Sequence, residues 1–401
     1  MPDFKNPFRP GAGHTPPYLA GRKKETNAFH HLLDQEVILE NMVLTGLRGV
    51  GKTVLLETFK PLAIDNGWLW VGTDLSESSS VNEDNIALRI CTDISIVTSG
   101  LVVHRDQIPH AGFNVENDVV ETKLNFEYLT SIYNNTPGLA LDKLKTVLET
   151  VWSHIGSIDG VRGIAFAYDE AQNLSDQAQK DQFPLSLLLD TFQSLQRKGL
   201  PLMLVLTGLP TLFPKLVESR TFSERMFHVV FLTGLNPEES KEAILKPIED
   251  ASCPMKLNKT SVDTIVEMSG GYPYFIQFIC REVYDAFMQK IDRGDDTSVP
   301  VAEIEQKLDT DFFAGRWSRV TDRQRELLRV VAELTNCDDE FTVQEISEIS
   351  RKMLEKPFGS SHVNQMLSKL SDQGLVFKNR HGKYSFAVPL LGSFIRRQPD
   401  L

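Results

Sequence analysis

The apolar positions of this chain fall into two regimes. Met42-Val43-Leu44-Thr45, Leu69-Trp70-Val71, Gly163–Tyr168, Pro201–Leu206 and His228–Leu232 are short, nearly continuous apolar runs of strand length. Helical patterns precede and separate them: Glu25 through Leu33, Thr53 to about Ala63, Ile86–Ile94, about Leu139–Ile155 and Pro184–Lys198. Strands that are apolar throughout and alternate with helices predict a parallel sheet covered on both faces. Residues 100–135 alternate only in places. There, Phe113-Asn114-Val115 and Val119 to Tyr128 suggest a β-hairpin insertion.

After Leu235 the pattern is helical only. Asn236-Pro237-Glu238-Glu239 is a helix start with a cap, a proline and first-turn acids. Helices are expected at about 237–250, 261–269, 273–290 and 301–312, with Gly270-Gly271 ending one of them. The last 85 or so residues predict helices at 321–335, 342–351 and 360–373. Leu375-Val376-Phe377, a turn at Arg380-His381-Gly382 and Tyr384-Ser385-Phe386 follow as a hairpin. Three helices and a hairpin is the winged-helix variant of helix-turn-helix. Residues 1–20, rich in Pro and Gly, read as an extended arm. The expected class is α/β: a parallel-sheet core over 1–235, a helical lid over 236–313 and a winged helix over 314–401.

The chain has 401 residues, 41% hydrophobic and 24% charged, an ordinary balance for a globular protein. No run approaches the ~18 apolar residues of a membrane helix, and the first ten residues hold no apolar signal core. A cytoplasmic location without membrane contact is expected. Cys91, Cys253, Cys280 and Cys337 lie far apart, so no zinc site is expected from them. The net charge of −12 argues against nonspecific coating of nucleic acid by the whole surface. Residues 315–401 are the exception, with 14 Lys+Arg against 11 Asp+Glu.

One segment carries specific chemistry. Gly46-Leu47-Arg48-Gly49-Val50-Gly51-Lys52-Thr53 fits G-x-x-x-x-G-K-[ST], and it lies between a predicted strand and a predicted helix. Such glycines let backbone N–H groups turn toward phosphates; Lys52 reaches the β- and γ-phosphates, and Thr53 ligates Mg²⁺. The expected neighbours of ATP or ADP are therefore Gly46, Arg48, Gly49, Val50, Gly51, Lys52, Thr53 and Val54. Asp169 and Glu170 follow an apolar strand, at the sheet edge where ligands bind in such folds. Asp169 is suited to hold Mg²⁺ through water, and Glu170 to orient or deprotonate the attacking water. Thr207 ends the next strand, placed to bond the γ-phosphate or that water.

Taken in order, Tyr18–Glu25, Gly46–Thr53, Asp169-Glu170, Thr207-Gly208-Leu209-Pro210, Glu224-Arg225 and Gly270-Gly271-Tyr272-Pro273 resemble an AAA+-type ATPase. The branch is the one shared by origin-recognition and STAND proteins, close to prokaryotic AAA-family ATP-binding proteins with a C-terminal winged helix. The resemblance covers nearly the whole chain. It implies that Gly21 and Arg22 lie over the adenine and that Pro273 packs near the base. It also implies that Arg225, or alternatively Arg220, reaches the γ-phosphate held by a neighbouring subunit, making the active form a homo-oligomer. One departure stands out: Tyr272-Pro273-Tyr274-Phe275 supplies no arginine to the start of the lid helix. Sensing through the lid is then expected to be steric. Two jobs fit. One is a machine acting on double-stranded DNA, with Ser360, Ser361, His362, Asn364, Gln365 and Lys369 on a recognition helix and Lys378, Arg380 and Lys383 on the wing. The other is a signalling or defence switch whose winged helix packs on the core and answers to a separate protein partner. An adaptor that binds ATP without turnover is a third, lesser reading.

Overall fold

A computed structural model describes residues 5–11, 13–108, 118–293, 299–380 and 382–399. The chain divides into two compact units, one of Lys23–Thr45 and Leu55–Phe231, the other of Met1–Arg22, Gly46–Val54 and Leu232–Leu401.

The first unit holds the main sheet. Its elements run α1 (Lys23–Leu33), β1 (Asn41–Gly46), α2 (Lys52–Asp65), β2 (Trp68–Val71), α3 (Glu83–Thr98), β3 (Val102–Ile108), β4 (Asp118–Lys123), α4 (Phe126–Asn135), α5 (Ala140–Ile155), β5 (Gly163–Tyr168), α6 (Pro184–Arg197), β6 (Leu202–Gly208), α7 (Leu212–Ser219), α8 (Ser223–Met226) and β7 (Phe227–Leu232). The strand order is β2-β5-β6-β1-β7, with β2, β5, β6 and β1 parallel. Every residue of β1, β5 and β6 is buried, which is why these segments read as unbroken apolar runs. Helix residues such as Ile90, Leu148 and Phe192 fill the space against them, and Phe192 meets Phe166 edge to face at 4.9 Å.

Asn41 is a polar exception at the start of β1, and it is fully buried. Its Oδ1 accepts from Leu204 N–H at 2.7 Å and Gln196 Nε2 at 2.8 Å, while its Nδ2 donates to Met226 O at 3.2 Å. Leaving such groups unpaired would cost about 1–3 kcal/mol each. The network thus fixes the end of α8 against the amino end of β1.

The insertion is a hairpin, with β3 and β4 paired antiparallel from Val102↔Lys123 to Ile108↔Asp118. The expected strand residues Phe113-Asn114-Val115 lie outside the described residues. The expected run from Val119 to Tyr128 needs correction at its end. Asn125 accepts from Tyr128 N–H at 2.9 Å and caps α4, so Phe126–Tyr128 are helical.

The second unit continues with α9 (Pro237–Asp250), α10 (Lys259–Ser269), α11 (Pro273–Arg293), α12 (Val301–Leu308), α13 (Ala314–Trp317), α14 (Asp322–Ala332), β8 (Phe341–Thr342), α15 (Val343–Met353), α16 (Ser360–Asp372), β9 (Val376–Arg380), β10 (Lys383–Phe386) and α17 (Leu391–Arg397). The helix expected over 301–312 ends at Leu308 and passes into a π-turn, Asp309–Phe313. That wider turn accommodates two adjacent aromatics. Phe312 lies 4.9 Å from Phe275, and Phe313 stacks on Phe394 at 4.9 Å. The lid and C-terminal helices thereby share one hydrophobic core. In the C-terminal part, β8-β10-β9 form a three-stranded antiparallel sheet beside α14, α15 and α16. The N-terminal arm is docked: Phe8 is buried, Asn6 Nδ2 donates to Arg281 O at 3.2 Å, and Arg9 N–H to Gln277 Oε1 at 3.1 Å. Among the described residues no helix is long and apolar enough to cross a membrane.

Candidate nucleotide-binding site

The glycine loop leaves β1 and closes at Lys52, the first residue of α2. Gly49 and Gly51 have φ of 82° and 91°, the left-handed region that favours glycine. A Cβ on Gly51 would meet nothing within 4 Å, so its backbone borders open space. A Cβ on Gly46 would come within 2.4 Å of Leu232 O, so only glycine fits there. Lys52 is buried, and its ammonium donates to Gly46 O and Leu47 O, each at 2.9 Å. The charge therefore sits inside the curl of the loop. Positive-φ glycines, open space beside the backbone and an enclosed ammonium together fit a polyphosphate. Thr53 and Val54 follow in the first turn of α2, both half-buried.

The Gly21-Arg22 segment fastens onto this loop. Arg22 is 6% exposed, and its Nη2 donates to Val50 O and Thr233 O, each at 2.9 Å. Gly21 has φ of 65°, and a Cβ there would lie 2.6 Å from the Glu239 carboxyl carbon. Glu239 is in turn fixed by a capping box with Asn236. Pro273 opens α11, and the next residue, Tyr274, donates its N–H to Gly49 O at 3.2 Å. An N-terminal N–H that no helical carbonyl can satisfy is used to hold the loop. Gly21, Arg22, Gly46–Val54 and Pro273 thus belong to one compact unit.

Asp169, Glu170 and Thr207 belong to the other. Asp169 directly follows β5 and is 4% exposed. Thr207 lies within β6, opposite Leu44 of β1, because that strand runs two residues beyond the expected Leu206. The Thr207 hydroxyl, expected to address phosphate or water, donates to Asp169 Oδ1. The same oxygen accepts from Glu170 N–H at 2.7 Å. Glu170 has a left-handed backbone with φ of 51°, a conformation that costs a non-glycine residue on the order of 1 kcal/mol. The turn leaves its side chain exposed. Gln172 Nε2 donates to the Glu170 carboxylate, while Gln172 Oε1 accepts from Leu209 N–H at 3.0 Å. Gln172 thereby fixes the Glu170 side chain, a contact that no sequence signal singles out, since it exists only once Glu170 turns left-handed.

Arg225 lies elsewhere. It sits in α8, next to Met226, whose carbonyl is bonded to Asn41 at the amino end of β1. Asp169 and Thr207 lie at the carboxyl end of their strands. Strands of this length span roughly 20 Å, so Arg225 does not meet the acids of its own sheet. It is exposed and forms no ion pair among the described residues, not even with Glu224. Arg220, the alternative, is bound to Asp190 in cis, with Nε and Nη2 donating at 2.8 and 2.7 Å.

Residues 18–217 match the family model of the AAA ATPase domain. Residues 310–395 match a model described as a domain of unknown function (DUF8462). Among solved structures, a Walker-type ATPase of Pyrococcus abyssi is 16% identical with a TM-score of 0.58, over 94% of this chain and 96% of that one. The Aeropyrum pernix ORC2 protein in its ADP form is 15% identical with a TM-score of 0.52, over 96% and 97%. Its ADPNP–ADP complexes give 15% and 0.51, over 96% and 94%. Comparison with curated proteins gives no match. The sheet and the glycine loop define a P-loop protein of the AAA+ type. Residues 18–217 belong to the AAA ATPase domain family, and the chain as a whole has a fold similar to those of the Walker-type ATPase and the ORC2 protein.

Proposed function

We propose that this chain binds and hydrolyses ATP with Mg²⁺ in the cytoplasm, and that its nucleotide state controls assembly and the engagement of DNA or a protein partner. The observation that carries this reading is the glycine loop, with its left-handed glycines and the Lys52 ammonium held between its carbonyls. On binding, Lys52 turns from those carbonyls to the β- and γ-phosphates, and the loop N–H groups take the remaining oxygens. Thr53 and Asp169 are the residues suited to Mg²⁺, which would offset charge on the phosphates. Glu170, steadied by Gln172, orients the attacking water and takes its proton. Thr207 holds Asp169 in place.

Arg225 completes the site of a neighbouring copy in this scheme. Its place at the opposite sheet edge and its freedom from ion pairs support that role. A guanidinium supplied this way is worth ~10³-fold or more in related phosphoryl transfer. Specific activity should therefore rise with protein concentration, and Arg225→Ala should lose turnover while keeping ATP affinity. Mixing Arg225→Ala with Lys52→Ala should restore part of the activity. Concentration-independent turnover that survives Arg225→Ala would mean that one chain suffices.

The proposed output is the C-terminal segment as a winged helix, with borders near residues 235 and 313. Along α16 the polar residues Ser361, His362, Asn364, Gln365 and Lys369 are exposed, while Val363, Met366, Leu367 and Leu370 are buried. Lys378 on β9 is exposed. Such a face suits the major groove of double-stranded DNA, with the wing on phosphates. Replacing Arg380 and Lys383 with Ala should weaken DNA binding at every sequence and flatten its salt dependence by roughly one to two units. A wild type that binds no DNA at ~50 mM salt, with or without ATP, would favour the second reading, a switch closed by its own C-terminal segment. That reading has its own support: Phe394 of α17 stacks on Phe313, and Arg397 is bound to Asp309 at the end of the lid.

A further inference from the structure

The start of the lid helix offers no arginine, yet the glycine loop is not short of positive charge. Arg316, on the short helix α13 beyond the lid, lies at the end of a chain of contacts that leads back to the loop. Its guanidinium covers the Phe312 ring at 5.0 Å and donates from Nη1 to Phe312 O at 2.8 Å. The Phe312 ring lies 5.5 Å from that of Tyr274. Tyr274 N–H donates to Gly49 O, and a Cβ on Gly49 would stand 3.2 Å from Tyr274 Cβ. Arg48, adjacent to Gly49, is exposed, and so is Arg319. Burial, then repulsion from Arg48 and from Arg319, lowers the pKa of Arg316, so the three cations share one field. None of the three has a carboxylate partner among the described residues, although Asp and Glu outnumber Lys and Arg by 54 to 42 in the chain. Like charges gathered without counterions beside a phosphate loop call for an anion. The π-turn just before Arg316 is an uncommon structure, often found at functional sites.

We infer that Arg316, together with Arg48 of the loop, receives the terminal phosphate of a nucleoside triphosphate, so that the segment joining the lid to the C-terminal helices distinguishes ATP from ADP. The inference rests on the nucleotide reading above and adds a residue that no phosphate-loop motif contains. It replaces the steric sensing expected from the lid sequence with an electrostatic contact. Such a contact couples the third phosphate to α13 and to Trp317, which meets Phe394 of the C-terminal helix edge-on at 5.7 Å.

The test is calorimetry with ADPNP and with ADP, each with Mg²⁺, on the full chain. Arg316→Ala should weaken ADPNP by about ten- to a hundredfold, the range for hydrogen bonds to charged groups, and leave ADP nearly unchanged. Arg48→Ala, a change within the phosphate loop itself, should weaken both nucleotides, and ADPNP more than ADP. Arg316→Lys should recover part of the loss, because it keeps the charge without the planar fork. The melting temperature of the nucleotide-free variants should match the wild type. If Arg316→Ala does not fold, Arg48→Ala and Arg316→Lys decide the question. A wild type that binds neither nucleotide removes the nucleotide reading, and this inference with it. A wild type that binds both, with an ADPNP-to-ADP ratio unmoved by these variants, overturns this inference alone.

Discussion

Glu170→Gln should bind ATP as the wild type does while turnover falls by about a hundredfold or more. The substitution keeps the shape of the side chain. Its amide oxygen can still accept from Gln172 Nε2, and the left-handed turn held by Asp169 is untouched. What disappears is the carboxylate that takes a proton from water. ATP affinity and single-turnover rate, measured on one preparation, separate the two effects. Unchanged turnover would show that another group orients the water.

Lys52→Ala should weaken ATP binding by roughly 3 kcal/mol, more than a hundredfold, since charge-assisted contacts to two phosphates are lost. The same change removes two hydrogen bonds inside the nucleotide-free loop. A melting curve without nucleotide is the needed control. Affinity near wild type in a folded variant would exclude the glycine loop as the phosphate site.

The parts that were legible in the sequence are those with one physical cause each. β5 reads residue for residue as Gly163–Tyr168, because a strand buried on both faces must be apolar throughout. The α9 start was visible as cap, proline and acids, and the α11 start as Gly270-Gly271 followed by Pro273. The Gly46–Thr53 loop needs only its glycines and lysine to be recognised. What escaped depends on tertiary contacts. The apolar Phe126 and Tyr128 resemble a strand until Asn125 is seen to cap a helix. The α17 helix follows Pro389 and begins after Leu390, whose left-handed backbone (φ 62°) no local rule assigns to leucine. Gln172 gains its role from the turn at Glu170. Arg316 is far from the loop in sequence and reaches its neighbourhood only through Phe312 and Tyr274. Arg220 and Arg225 look alike in the sequence; only the bidentate contact with Asp190 separates them.

The most direct measurement is phosphate release from ATP by purified wild-type protein, alongside identically purified Lys52→Ala. Release is expected to saturate with ATP, to stop when Mg²⁺ is chelated, and to be absent in the Lys52→Ala preparation. Equal release from the two proteins, or none from the wild type at any protein concentration, would contradict ATP hydrolysis by this chain.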